Sequence, residues 1–356
     1  MRVLDHAGAF LAHAAWSPES QIRLRVFSFD ESATIDADFI GARIERAIGA
    51  RRALGLLDAA ACRLVFGEAD GLPGLVVDCY GEFLVCQFLS AGLELWRDAA
   101  VAALARLLSP RGIFERSDAA ARRREGLAQS QGPLSGAPPP ERLEIELDGL
   151  RQLFDLAHGQ KTGGYLDQRF NRLRVARYAS GARVLDAYAY TGGFGLQCLS
   201  AGAAEVTLLD SSAPALEIAA DAAERNGLAS RCRFVRGDVG DELRALHANG
   251  RRFDLVVLDP PKLVQTASQL TRGSRAYRDV NRLAFELLGP GGILASFSCS
   301  GHVDLALLQK LVAQAAVEAG RDAQIVERLG QPPDHPVALS FPEGEYLHGI
   351  VVRVGA

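Results

Sequence analysis

Lysine is nearly absent from this 356-residue chain. Only Lys161, Lys262 and Lys310 occur among 39 basic residues, and the rest are arginine. With the abundant alanine, this bias reads as compositional drift rather than as a functional signature. No run approaches the roughly 18 consecutive apolar residues of a membrane span, so no membrane partner is expected. The opening residues, Met1-Arg2-Val3-Leu4-Asp5-His6, lack a basic segment followed by an apolar stretch, so no secretory leader is expected and the chain reads as cytoplasmic. No Cys-x-x-Cys pair exists. The six cysteines, at 62, 79, 86, 198, 232 and 299, show no zinc spacing, so no metal is expected and the thiols should be free. The chain also lacks a basic excess: its net charge is −4. Alone, that argues mildly against a nucleic-acid partner. It is a sum, however. Residues 151–185 hold seven basic residues against two acidic ones, and Arg122-Arg123-Arg124 forms a second cluster.

What is present is an ordinary globular balance, 48% hydrophobic and 23% charged, long enough for two or three domains. Residues 21–29 alternate with period two, Ile22, Leu24 and Val26 on one face and Arg23, Arg25 and Phe27 on the other. That is either a half-buried strand or a basic, aromatic strand facing RNA. Residues 36–54 predict a helix with Phe39, Ile40, Ile44 and Ile48 on one stripe and Arg43, Arg46, Arg51 and Arg52 off it. Strands broken by turns follow over 62–90, then a helix over 94–108 and a strand at 113–116. Residues 129–140, rich in Gly, Pro, Ser and Gln, read as a linker. Two short strands flank Asp148-Gly149. Beyond residue 160 strands and helices alternate strictly. Strands are expected at 183–187, 205–210, 232–237, 253–259 and 292–298, and a closing antiparallel hairpin at 323–329 and 346–354. The fold class is therefore α/β, a doubly wound, mostly parallel sheet preceded by a small α+β unit.

In such a sheet, ligands bind beyond the carboxyl ends of the strands. The first of these strands ends in Asp186 and leads through Tyr188, Tyr190 and Thr191 into Gly192-Gly193. The glycines permit a tight turn and close backbone approach. Their order is not G-x-G-x-x-G, and Asp186 would repel a pyrophosphate. It suits a cationic group instead, such as the amino end of S-adenosylmethionine. Asp210 ends the second strand and can accept ribose hydroxyls; Asp238 ends the third, where it can meet an adenine amino group. The fourth strand ends in Asp259-Pro260-Pro261-Lys262. Amine-methylating enzymes typically carry an aromatic residue at the position of Lys262, so lysine argues against an exocyclic amine target. The fifth strand ends in Ser298-Cys299-Ser300. A thiolate there can add to carbon 6 of a pyrimidine and so make carbon 5 nucleophilic. Lys262 or the positive charge of a bound cofactor would favour the thiolate. Upstream, His158–Arg172 predicts a glycine-containing loop over the cofactor, with Lys161 and Asp167 as contacts.

These segments, HGQKTGGYLDQRFNR, VLDAYAYTGGFG, DPPK and FSCSG in that order, with GEADGLPG at 67–74, VVD ending at Asp78 and ERSD at 115–118, resemble the RlmI-type 23S rRNA (cytosine-5) methyltransferases. The resemblance runs from about residue 20 to Val354. It implies a PUA-like RNA-binding region at 1–35, a central EEHEE α+β domain at 36–157 and a class I methyltransferase domain at 158–356. It implies Cys299 as nucleophile, Asp259 as the group that contacts the base or assists deprotonation, and Asp186, Gly192, Gly193, Asp210 and Asp238 as cofactor residues. The expected partner is 23S rRNA or a large-subunit assembly intermediate. Family members carry further N-terminal strands, so the barrel is expected to be incomplete here, its edge left for a partner such as a second copy, or the start to be assigned short. Two alternatives remain on these residues: methylation of a guanine amine or another pyrimidine, and a non-catalytic ribosome-assembly protein that keeps the fold.

Overall fold

The computed structural model describes residues 1–355. They divide into two compact units. The first comprises 1–147, 154–166 and 333–344; the second comprises 148–153 and 167–332 with the carboxyl-terminal residues from 345.

The first unit opens with a three-stranded antiparallel sheet, β1 (Arg2–Leu4), β2 (Phe10–Trp16) and β3 (Leu24–Ser28). On β3 the two faces are not cleanly separated, since Leu24, Arg25 and Val26 are all half-buried. Phe27 is in the core and Ile22, just before the strand, is exposed. Arg25 does not face outward to RNA. It pairs with Glu125 at 2.8 Å and Glu68 at 3.0 Å, two carboxylates far away in sequence. Helix α1 (Ala37–Ala53) starts where Asp36 caps the amide of Phe39 at 2.9 Å. It buries Ile40, Ile44 and Ile48 as expected, but also Arg51. Asp70 at 2.6 Å compensates that charge.

A five-stranded sheet follows in the order β4 (Ala61–Phe66), β5 (Leu75–Tyr80), β6 (Phe83–Phe88), β7 (Gly112–Ser117) and β8 (Ser130–Gly136). Only β6 and β7 run parallel, because α2 (Ala91–Glu94) and α3 (Arg97–Leu108) cross over between them. Along β6, Leu84 and Cys86 enter one core with α1 and α3, whereas Phe83 and Val85 enter another with Tyr80 and Phe154. Both faces are buried, so the strand reads as continuously apolar. After α4 (Ala120–Arg124), residues 130–136 are not a linker. They form β8, an edge strand laddered on β7. An edge strand tolerates Pro133 because one side of its backbone needs no partner. Composition, which tracks turns, could not show this. The chain then passes through β9 (Leu143–Leu147) and β10 (Leu150–Phe154) by a turn in which Asp148 and Gly149 both have positive φ.

A buried polar network ties the first unit together. Asp78, fully buried, accepts from Arg63 Nε at 2.8 Å and Nη2 at 2.7 Å, and from the Thr162 hydroxyl at 2.6 Å. Asp334 accepts the Arg63 amide at 2.9 Å, and its carbonyl accepts from Arg51 at 2.9 Å. Next to it, His335 packs on Phe66, ring centroids 5.3 Å apart.

In the second unit, after α5 (Arg169–Ala176), strands and helices alternate: β11 (Arg183–Ala187), α6 (Gly193–Ser200), β12 (Glu205–Asp210), α7 (Ala213–Arg225), β13 (Cys232–Arg236), α8 (Val239–Ala248), β14 (Phe253–Leu258), α9 (Leu270–Leu287), β15 (Leu288–Ser298) and α10 (Leu305–Glu318), closed by β16 (Ala323–Gly330) and β17 (His348–Val354). The seven-stranded sheet runs β13-β12-β11-β14-β15-β17-β16. It is parallel except for β17, which is antiparallel to both neighbours. Val256 and Leu258 bury on one face, Leu255 and Val257 on the other, so helices cover both sides. The α/β class, the parallel order and the closing hairpin are as the sequence predicts. Among the described residues no helix is long and apolar enough to cross a membrane.

Candidate active site

Five candidate residues sit at or just past the carboxyl ends of parallel strands of this one sheet: Asp186 on β11, Asp210 on β12, Asp238 after β13, Asp259 after β14 and Cys299 after β15. Asp186 is buried. Its Oδ2 accepts the Gly195 amide at 2.8 Å, and its Oδ1 is buried with no hydrogen-bond partner. Burial pushes this carboxyl up to about 7, with the nearby Asp259 adding to the effect and the Gly195 amide opposing it. A carboxylate half satisfied by backbone and otherwise orphaned is a receptor for a donor or cation.

The turn that follows is strained. Tyr188 and Tyr190 both adopt left-handed backbone, φ 65° and 49°, which side chains larger than glycine rarely do. The Tyr190 amide is held there by Asp210 Oδ2 at 2.8 Å, while Asp210 Oδ1 accepts the Ser212 amide at 2.8 Å. Each oxygen keeps a further lone pair for a hydroxyl. Thr191 is half-buried beside them. Gly192 has φ 79°, and a side-chain carbon there would meet Leu208 at 2.8 Å. At Gly193 such a carbon would lie 2.6 Å from Arg172 Nε. So the second glycine makes room for a neighbouring guanidinium rather than serving the backbone turn. Asp238 is exposed and caps α8 through the Asp241 amide at 3.2 Å.

On the other side of β11, Asp259 accepts from Gln168 Nε2 at 2.9 Å; Gln168 in turn accepts from Asn171 at 2.7 Å, and Asn171 donates to the Gly330 carbonyl at 3.0 Å. Burial draws the Arg172 guanidinium down, while Asp259, Asp167, Asp186 and Asp148 hold it up. Asp167 is buried and accepts the Tyr346 hydroxyl at 2.7 Å. Lys161 belongs to the first unit, its ammonium 4.3 Å over the Tyr165 ring.

Cys299 is half-buried, its Sγ 3.9 Å from the Pro260 carbonyl oxygen, so thiol and DPPK loop meet as the strand order requires. Lys262 is exposed on that loop. Ser298 and Ser300 turn the opposite way. Their hydroxyls meet the buried Tyr277 hydroxyl on α9 at 3.0 and 3.1 Å, and Ser300 Oγ also accepts the Val264 amide at 3.3 Å. This clamp on both neighbours directs the cysteine between them. By contrast, Cys62, Cys86 and Cys198 are buried in apolar cores, with thiols held far above the ordinary range by that burial. Gln168, Asn171 and Arg172 lie inside a motif visible in the sequence but were not singled out by it. Tyr277 has no signal beyond an apolar helical stripe.

The model of the S-adenosylmethionine-dependent methyltransferase family matches residues 121–342. "Ribosomal RNA large subunit methyltransferase I" of Aeromonas salmonicida is 48% identical over 358 residues, covering 99% of this chain and 90% of that protein. The protein of the same name from Salmonella typhimurium is 47% identical over 354 residues, covering 99% and 88%. This chain belongs to that family. A Streptococcus mutans protein described as a SAM-dependent methyltransferase shares the fold with a TM-score of 0.87 at 21% identity, covering 99% of this chain and 90% of its own. A methyltransferase solved with SAH has a TM-score of 0.87 at 20% identity, with the same coverage.

The chain is thus an S-adenosylmethionine-dependent methyltransferase, and its residues fit that cofactor. The orphaned Asp186 oxygen and the glycine turn provide a cation receptor beside a cradle that a side chain would fill. One consequence follows from the burial of Asp186. Its carboxyl is neutral in the folded chain up to about pH 7 but ionises near 3.8 when unfolded. Its contribution to stability is therefore largest at low pH and declines as pH rises through that window. A cationic ligand prefers the carboxylate, so cofactor affinity should rise with pH through about 7 in the wild type. In Asp186→Asn it should be weak and flat. Calorimetric titration below and above pH 7 checks this, and a pH-independent wild-type affinity would refute the assignment of Asp186.

Proposed function

We propose that this chain methylates carbon 5 of a cytosine in large-subunit ribosomal RNA, with Cys299 as the nucleophile. The observation that carries the reading is the placement of the Cys299 thiol against the Asp259-Pro260-Pro261-Lys262 loop, 3.9 Å from the Pro260 carbonyl oxygen. The names of its relatives support rRNA as the substrate. When bound, S-adenosylmethionine supplies an electrophilic methyl group. Asp186, the Gly192-Gly193 turn and Asp210 hold it, with Tyr188, Tyr190, Thr191, Asp238 and Asp167 as further contacts.

Carbon 5 of cytosine is a poor nucleophile. Addition of the Cys299 thiolate to carbon 6 forms a C–S bond and shifts the ring electrons onto carbon 5. Once carbon 5 carries the methyl group, its proton leaves to a base. The electron pair of that C–H bond restores the ring double bond as the C–S bond breaks, releasing the Cys299 thiolate. Asp259, steadied by Gln168, faces the base and takes part in that deprotonation. Lys262 provides positive charge on the same loop and favours the thiolate. The three-stranded sheet at the amino end is a PUA-like RNA-binding element in this reading.

The test is incubation with rRNA containing 5-azacytosine, whose ring nitrogen at position 5 blocks release. A covalent protein–RNA adduct should form with the wild type and disappear in Cys299→Ala. An adduct that persists in that variant, or 5-methylcytosine missing from the nucleosides of modified rRNA, would refute the reading.

A further inference from the structure

Helix α9 carries a second stripe beside the one that clamps the nucleophile's neighbours. Tyr277, Val280, Asn281 and Ala284 face the core. Thr271, Ser274, Arg275 and Arg278, at the i, i+3, i+4, i+7 spacing of one helix face, line a groove of about 340 Å³. Leu307 and Leu311 of α10 form its far wall, and Gln314 its end. The groove is apolar inside and basic at its rim. Arg278 is held by Glu318 at 3.2 Å. Arg275, and Arg272 one turn before it, are exposed and form no ion pair among the described residues. Arg275 lines the groove and Arg272 lies one turn before it, outside the lining, so two guanidinium groups at this end of the helix carry charge that no carboxylate of the described residues offsets.

The groove also has a position. Gly273, within the same turn, packs so closely on the loop after Lys262 that a side-chain carbon would lie 2.6 Å from the Leu263 carbonyl oxygen. One turn further on is Tyr277, which anchors Ser298 and Ser300 on either side of Cys299. The groove therefore starts next to the loop that faces the thiol.

We propose that this groove holds the single-stranded RNA segment flanking the target base, with Arg272 and Arg275 on consecutive phosphates and one nucleotide against Leu307 and Leu311. This rests on rRNA being the substrate. The chemistry favours RNA over an acidic peptide. Guanidinium forks match phosphate oxygens, an apolar trough accepts the face of an unstacked base, and the Thr271 and Ser274 hydroxyls with the Gln314 amide can meet a 2′-hydroxyl or base edge.

The experiment is equilibrium binding of the full chain to protein-free 23S rRNA across a salt series. In Arg272→Ala/Arg275→Ala, affinity at moderate salt should fall by about tenfold or more, and the slope of log affinity against log salt should shrink by about 1.5, as expected for two lost phosphate contacts. Cofactor affinity and melting temperature should not change. Arg272→Lys/Arg275→Lys should restore the slope, because the electrostatic contribution needs only the charge. Wild-type affinity and slope in the alanine variant would overturn the proposal, including the case where that variant instead loses an acidic protein partner. A loss of affinity without a change of slope, or one that lysine leaves unrestored, would also overturn it. Failure of the wild type to bind the rRNA at all would refute the substrate reading itself, so the two failures are told apart.

Discussion

Cys299→Ala is expected to slow methyl transfer to rRNA by about three orders of magnitude or more, with S-adenosylmethionine affinity unchanged. The split follows from the geometry. The thiol stands at the end of β15 against the Pro260 carbonyl, whereas the carboxylates proposed for the cofactor stand on β11 and β12. Removing Sγ takes away the step that makes carbon 5 nucleophilic and leaves the cofactor's holders in place. Single-turnover rates on rRNA from cells lacking the protein would measure it, and a rate within about tenfold of wild type would exclude the covalent route. Tyr277→Phe should fall between the two. It keeps the ring in the core but frees the Ser298 and Ser300 hydroxyls, so the thiol is less well aimed. Its rate should fall by roughly tenfold with the KM for RNA unchanged, and adduct formation on 5-azacytosine RNA should slow in parallel. A normal adduct rate in Tyr277→Phe would show that the clamp serves only packing.

The second large effect concerns stability and lies in the first unit. Arg63→Ala should cost about 3–5 kcal/mol, because it strands a fully buried carboxylate. Asp78 receives both of its charged hydrogen bonds from that one guanidinium, at 2.8 and 2.7 Å, and only the Thr162 hydroxyl would remain. For a unit of this size the melting transition should drop by about 10 °C. The paired change Arg63→Met with Asp78→Leu removes both charges together, so it should recover most of the loss. Differential scanning calorimetry of the three variants decides the point. If the single variant melted within about 2 °C of wild type, Asp78 would not depend on Arg63.

How much of this was legible beforehand differs between the units. In the second unit the strands and helices fall where strict alternation places them, because each strand is flanked by turns and each helix buries one stripe. In the first, periodicity misled wherever long-range partners intervened. Arg51 looked like a solvated residue off the apolar stripe, and Asp70 makes its burial tolerable. Residues 130–136 looked like a linker, yet an edge strand asks only that one side of its backbone be paired. Strands β1 and β2 leave no apolar alternation to read: β1 has only three residues, and across the two strands only Ala12 and Ala14 are buried.

By itself, the sequence determined the α/β class, the order of acidic groups at successive strand ends, the juxtaposition of a cysteine with the DPPK loop, and the family. All of these are local patterns or consequences of strand order. Only the tertiary structure decided that Tyr277 clamps the serines beside Cys299, that Gly193 makes room for Arg172, and that Asp334 receives the amide of Arg63 from 271 positions away. Spacing along a chain encodes which face a residue takes. It carries no record of which distant side chain will meet it there, because that pairing is chosen by packing after the elements have formed.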